Sequence, residues 1–508
     1  MATIIALVFA FLCVLQHVAG RPDFGLNGNI VGSSIAIDSS GSTSFIIGTL
    51  SDYKIKLGSQ YKVLYNMQDA YYAIGEKFTT AGIAMTDKLS LLADDDSGIV
   101  GPPFDSTTAA IANLQNVLST GFTQEFLTLR PRDKSFITDR LADSFNYISQ
   151  TLTTLDEILR KVQMAALKTQ LQAGGDGKSV PKEFARGIVT PRLINTLLDT
   201  IVRIPGAISP LIYSIHEPLA QLDRSDTYIT TAKSDIEAAL LHAHQEVVNF
   251  NGNLRQLKQD TNGVVSTLGI TYSDQKTLIA DILPKVQASS NYQYELTNAM
   301  ETFDFALSPA SIEEKTSLLD IAVADYIDQS KTFDDDLVTV YGDRICPALQ
   351  SVVQVLIASG PYASYCFKKY SQRVIDLAVH NFYDIGECYA LELNRLYSVN
   401  RLISHIVNMV MFNVAELYDN LNTCANILPC PTACDPCVDT LGVFLDTLFR
   451  LMEEKFDLIL QIIPYETKAS LQRLKSCAAF SKYKLIADAY DLVKDISKCE
   501  DTGYKQTQ

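Results

Sequence analysis

A chain of 508 residues, 47% hydrophobic and 20% charged, has apolar mass for sizeable cores and room for roughly two to four domains, and its composition excludes global disorder. The formal charge of −16 argues against a nucleic-acid partner and against anionic membranes, because both require a concentrated basic surface.

Residues 1–20, MATIIALVFAFLCVLQHVAG, carry an apolar run from Thr3 to Leu15 that closes on Val18-Ala19-Gly20, small residues of the kind a signal peptidase accepts. No Lys or Arg precedes the run, and it falls short of the roughly 20 apolar residues that span a bilayer. The expectation is an export signal cleaved near Gly20 and a soluble, secreted mature protein with no transmembrane anchor. The best later candidate for a span, 403–417, is interrupted by Ser404, His405, Asn408, Asn413 and Glu416, and the end EDTGYKQTQ carries no lipid-anchor signal. No Asn-X-Ser/Thr sequon occurs in the chain.

Residues 21–59 are rich in Gly and Ser and read as an extended or loosely ordered arm. From residue 60 helical periodicity takes over, and strand-like alternation is scarce, so the fold class is all-α: a series of amphipathic helices in two regions, 60–175 and 176–340. Breakers at 92–105, at 172–184 and at Ser308-Pro309 separate the helices. Ser234 with Glu237, and Ser311 with Glu314, have capping-box spacing and predict two helix starts. Segments 133–149, 274–290 and 312–328 share a faint pattern of charged start, Lys, Ser/Thr and apolar pair, which helical amphipathicity alone also produces.

Residues 341–508 form a cysteine-rich region. Cys13 leaves with the signal, and every other cysteine lies at or beyond Cys346, where an oxidising compartment favours disulfides. Cys366 and Cys388 stand as far apart as Cys477 and Cys499, a spacing that returns both members of each pair to nearly one helical face. The two arms flanking the crowded stretch CANILPCPTACDPC are also nearly equal. In an antiparallel helical hairpin, positions symmetric about the bend face each other. The spacing therefore pairs Cys366 with Cys499, Cys388 with Cys477, Cys424 with Cys437 and Cys430 with Cys434. Val399, Leu402, Ile406, Val410, Val414, Leu417 and Leu421 outline the seam of one arm, and Leu441, Phe444, Leu448 and Leu451 that of the other. Pro429, Pro431 and Pro436 supply the tip, while Gly386 and Pro464 are expected to break the arms. Cys346 has no mirror position; it is unpaired, joined to another chain, or a sign of a different pairing. A zinc site is the rival reading of the cluster, but C-x5-C-x3-C-x2-C contains one CxxC and no second knuckle.

Cys366-Phe367-x-x-Tyr370, then Cys388, the group Cys424/Cys430/Cys434/Cys437, and finally Cys477 and Cys499 make residues 346–500 resemble the insect tsetse EP domain family. The resemblance implies a secreted, disulfide-bonded helical domain from an insect, in a family whose namesake is a midgut protein tied to the immune response to parasites. It implies no catalytic residues. The Glu-Pro repeats of the namesake are missing here; Glu217-Pro218 is the single Glu-Pro.

Catalytic and cofactor signatures are sparse. GGDGKS at 174–179 has a phosphate-loop look, but Gln172 stands where the first glycine belongs, and a helix precedes it. His242 and His244 are two apart, not the four that put two ligands on one helical face. Asp94-Asp95-Asp96 and Asp334-Asp335-Asp336 lack the glycine and distal glutamate of a calcium loop. No GxSxG occurs. Tyr365, Tyr370, Tyr383, Tyr389 and Tyr397 recur near the seam, either as helix packing or as an aromatic contact surface. Neither cofactor nor metal is expected. The reading is a non-enzymatic secreted protein acting on an extracellular protein or surface partner. The alternatives are a carrier of lipid or small hydrophobes, and a structural component cross-linked as a covalent dimer through Cys346.

Overall fold

The computed structural model describes residues 23–28, 30–330, 333–427 and 434–503, with side chains at all of these except 295, 333–338 and 341. The expected signal, Cys430, Pro429 and Pro431, and the side chains of Asp334-Asp335-Asp336 lie outside what is described. Among the described residues there is no strand. The described residues form twelve α-helices: α1 (Ser33–Asp52), α2 (Lys62–Asp94), α3 (Gly101–Thr120), α4 (Thr123–Asp133), α5 (Phe136–Gln172), α6 (Lys182–Ile188), α7 (Pro191–Val286), α8 (Thr297–Ala306), α9 (Pro309–Ser330), α10 (Phe333–Ile357), α11 (Ala363–Ala425) and α12 (Asp435–Thr502). A π-helical turn, Tyr292–Leu296, precedes α8.

The chain divides into two compact units. The first comprises Met1–Ala232, Leu349–Ser371 and Lys494–Gln508; the second comprises Lys233–Ala348 and Gln372–Val493. The expected borders at 175/176 and 340/341 are therefore not where the contacts divide. Helix α7 runs unbroken through Ser234, so its capping-box sequence starts nothing, because Ala232, Ala239, Ala243 and Val247 keep an apolar face buried on both sides. Nor is the cysteine-rich region one body. Leu349–Ser371 and Lys494–Gln508 belong to the first unit, and residues 341–348 and Gln372–Val493 to the second.

In the first unit α1 packs on α2, α2 on α3 and α4, and α5 on α3, α4 and α6. Within the Gly/Ser-rich arm Ser33–Asp52 is a helix, a correction with a packing cause, while the described residues on either side of it are turns and coil. Ala36, Thr43, Ile47 and Leu50 are buried, and a Cβ at Gly82 of α2 would come 3.0 Å from the Ile47 side chain. The close approach is permitted by the glycines of α2, Gly75 and Gly82, whereas Gly41 and Gly48 of α1 itself face open space. Hydroxyls of α1 bond back along the helix: Thr43 Oγ1 donates to Ser39 O at 2.7 Å and Thr49 Oγ1 to Ile46 O at 2.7 Å. Asp133, fully buried, accepts hydrogen bonds from the amides of Ser135 (2.8 Å) and Thr138 (2.7 Å) and so caps α5 across a turn whose Lys134 and Ser135 have φ of 47° and 69°.

In the second unit one core gathers Val265, Leu268 and Ile279 of α7, Phe303 of α8, Leu319 of α9, Ile403 to Leu421 of α11 and Val438 to Ile463 of α12. Ser308 Oγ accepts from the Ser311 amide at 3.3 Å and opens α9 one turn before the Ser311 expected to do so. The bend after α7 is tied to the start of α12: Ser290 Oγ donates to Asp435 Oδ2 at 2.7 Å, and Asn291 Nδ2 to Asp439 Oδ1 at 2.7 Å. The hydroxyl bonds from Ser289 and Ser290, with the Ser289 one foremost, hold the Asp435 carboxyl below its usual range. The segments sharing a faint pattern occupy unlike places: 133–149 contains the α4–α5 turn, whereas 312–328 lies inside α9.

Helices α11 and α12 are unbroken at Gly386 and Pro464, contrary to expectation. A proline inside a helix costs about 3 kcal/mol, while each large aliphatic side chain fully buried returns about 1.5–3 kcal/mol. Ile459, Ile463, Leu471 and Leu474 are buried on either side of Pro464, so packing outweighs the penalty.

Candidate functional site

Helices α11 and α12 run antiparallel and are bonded to each other by Cys366–Cys499, Cys388–Cys477 and Cys424–Cys437, with Cα separations of 5.8, 6.1 and 5.7 Å. These are partners that symmetry about the bend assigns. Cys434 is also disulfide-bonded, and its expected partner Cys430 is outside the described residues. Cys346 on α10 is exposed, with a free thiol.

One turn after Cys388 stands Glu392, and one turn before Cys477 stands Arg473. The symmetry that joins the cysteines joins these two as well. Arg473 Nε donates to both Glu392 oxygens, at 2.9 and 3.0 Å, and its Nη2 donates to Glu392 Oε2 at 2.9 Å and also to Glu466. Ser470 Oγ donates to Glu392 Oε2 at 2.8 Å and is itself 2.8 Å from the Tyr326 hydroxyl of α9, while Arg395 closes the other side of Glu392. Burial pushes the Glu392 pKa up, but the hydrogen bonds from Arg473 and Ser470 and the charges of Arg473 and Arg395 outweigh it, leaving the carboxyl below its usual value. Arg473 is correspondingly raised, chiefly by its bond to Glu392. Burial, first of all, raises the Tyr326 hydroxyl. This is a satisfied ion cluster that fixes how α9, α11 and α12 meet. Sequence reading missed it, although the cysteine register pointed to both residues.

Beside the cluster lies a cavity of about 40 Å³, lined by Leu257, Thr261, Asn262, Val323, Tyr326 and Thr467 among others. Asn262 Oδ1 is buried there without a hydrogen-bond partner among the described residues. The volume suits two or three waters, at roughly 10–15 Å³ each, and is far below a lipid. A larger groove of about 380 Å³ opens between α9 and α12, with Ile321, Ala322, Leu460, Pro464 and Leu471 as apolar walls and Asp325, Gln329 and Lys468 as polar ones.

The outward side of α12 is unusually apolar. Leu458 is 47% exposed, and Tyr465, Phe480, Tyr483 and Tyr490 are each 70–71% exposed. Of the expected seam of α12, Leu441 and Leu448 are buried, whereas Phe444 and Leu451 turn outward and Leu445 and Met452 are buried beside them. On α11, Leu402 is likewise outside and Ile403 buried. Adjacent apolar residues made both stripes plausible, and packing selected one.

The other flagged residues have structural places. Gly177 of GGDGKS donates its amide to Gly98 O at 3.0 Å, and a Cβ at Gly98 would meet Gly177 Cα at 2.9 Å, so these glycines permit two loops to touch. His242 and His244 flank the buried Ala243; both are exposed, and the His242 ring lies 5.0 Å from that of Tyr383 at a tilt of 54°. Asp95 accepts the amides of Gly25, through its carbonyl, and Ser97, through its carboxylate, within a turn. Tyr370 and Tyr389 are core residues, whereas Tyr365 and Tyr383 are exposed. Among the described residues, no group of three or more His, Cys, Asp or Glu is placed to hold a metal, and no helix is long and apolar enough to cross a membrane.

Compared with known proteins, the chain matches no family model, no curated protein and no solved structure.

Proposed function

We propose that this protein is exported and acts outside the cell, without catalysis of its own, by holding another protein against the outer face of α12. The observation that carries this reading is the row Tyr465, Phe480, Tyr483 and Tyr490, mostly exposed on a helix that disulfides clamp to its neighbour. Aromatic side chains bury large area at little entropic cost and dominate interface energetics, more so when the backbone that bears them is already ordered. The resemblance of residues 346–500 to the tsetse EP domain family supports an insect gut or immune setting. The test is capture from insect gut fluid by the full chain and by the variant Y465S/F480S/Y483S/Y490S. Proteins held by the wild type and lost by the variant are expected; identical capture by both would remove the reading.

A second reading, a carrier of small hydrophobes, is favoured by the groove between α9 and α12, whose volume falls at the low end of ligand pockets. Native mass spectrometry of chain purified from insect culture would show a co-purifying ligand, displaced by filling the groove with Ala322→Phe. The exposed Cys346 supports a third, in which the same spectra contain a dimer that reductant disperses.

A further inference from the structure

Between Thr467 and Ala487 helix α12 contains Lys468, Arg473, Lys475, Lys482 and Lys484 and no acidic residue, in a chain whose net charge is −16. Arg473 is engaged with Glu392 and Glu466, and Lys484 lies 3.4 Å from Asp384. Lys468, Lys475 and Lys482 make no ion pair among the described residues. They are seven residues apart, so they line one edge of the helix.

That edge borders a heptad seam. Taking Ile462, Ala469, Ser476, Tyr483 and Tyr490 as a positions makes Leu458, Tyr465, Gln472, Ala479 and Ile486 the d positions, and the three lysines fall at g. Buried residues of α12, including Ile463, Leu471, Leu474 and Leu485, lie at b, c and f, on the opposite side. The helix thus has one apolar face covered by its own fold and a second on which Leu458, Tyr465, Tyr483 and Tyr490 are exposed, with Phe480 beside them, while Ile462 is partly buried against the core. The open face presents roughly 600 Å² of side-chain area, counting aromatic residues at about 200 Å² each and about seven-tenths exposed. That exceeds a scattered surface residue or two and approaches the roughly 800 Å² per partner of a stable interface.

A second copy is a poor occupant. Antiparallel self-pairing sets g against g, which brings Lys468 to Lys482 and Lys475 to its own equivalent. Parallel self-pairing sets g against e, which brings Lys468 to Arg473. The first arrangement opposes like charges, and the second, with Phe480 and Ala487 at the next e positions and Arg473 already paired, gives none of the three lysines an acidic partner. We infer that the outer face of α12 receives an amphipathic helix of another protein whose apolar seam is edged with Asp or Glu opposite Lys468, Lys475 and Lys482. This rests on the interaction reading and names the class of partner for that face.

The experiment uses the full-length protein and three labelled peptides of about four heptads: an apolar seam flanked by Glu, the same seam flanked by Lys, and a scrambled sequence with the same number of Glu. Fluorescence anisotropy at physiological salt measures Kd. The Glu-flanked helix is expected to bind about tenfold tighter than the Lys-flanked one, the sum of three exposed ion pairs of ordinary strength. The variant K468E/K475E/K482E, altered only at surface positions, is expected to reverse that order. Equal affinity for both flanks, equal affinity for the scrambled peptide, or a self-dimer that the triple variant disperses would overturn the inference. The gut-fluid capture separates the two claims. Loss of capture with the aromatic variant but not with the lysine variant would sink the acidic partner alone; no loss with either sinks both.

Discussion

Removing the middle disulfide tests the register of the α11–α12 hairpin most directly. Cys388 and Cys477 are 89 residues apart, and an isolated loop of that size restricts the unfolded chain by about 4.5 kcal/mol. This bond is not isolated, because Cys424–Cys437 lies within its loop and Cys366–Cys499 encloses it. With both retained, deleting the middle bond merges two smaller loops into one, and the same chain-entropy relation gives about 3.5 kcal/mol. The double variant C388A/C477A is therefore expected to lose about 3.5 kcal/mol in urea unfolding followed by circular dichroism at the helix band. Under reducing conditions the difference from the wild type, with all bonds opened in both, should nearly vanish. A loss below about 1 kcal/mol in the oxidised protein, or a non-reduced digest in which Cys388 is joined elsewhere, would refute the nested arrangement.

Glu392→Gln should cost about 1.5–3 kcal/mol at neutral pH, the range for hydrogen bonds to a charged group. Its folded pKa is held below the ordinary value of about 4.3, so the contribution is present above that pH and is lost as the pH falls through the folded pKa. Urea unfolding at pH 7, 5 and 3 should show the gap between wild type and variant shrinking in acid; a gap that widens contradicts the ion cluster. Asp133→Ala should destabilise by about 1–2 kcal/mol through loss of the α5 cap, whereas Ser135→Gly, relieving a positive φ, should raise the unfolding midpoint. Iodoacetamide added to native, unreduced protein should label Cys346 and spare Cys366, Cys388, Cys424, Cys437, Cys477 and Cys499, as peptide mass spectrometry would read; label on any of those six contradicts the pairing.

The helical class and the hairpin were legible because they depend on features that sequence carries in one dimension. Apolar spacing of three and four residues marks helices wherever it occurs. Cysteines placed symmetrically about a proline-rich bend mark facing positions on two antiparallel arms, since a constant rise per residue makes symmetric residues meet. The same arithmetic places Glu392 opposite Arg473.

Tertiary structure decided what local signals could not. Glycines and serines of residues 33–52 read as a loose arm, yet they form a helix because Gly75 and Gly82 of α2 let Ile47 and Leu50 pack closely. Ser234 carried a helix-start signal and Pro464 a helix-stop signal, and both lie inside continuous helices, since burial along a long face outweighs one or two residues of local preference. The choice between Phe444 and Leu445, or Leu451 and Met452, as core residues needed the neighbouring helices in place. Periodicity fixes that an apolar stripe exists; only the partners packed against it determine which of two adjacent stripes is covered and which faces outward.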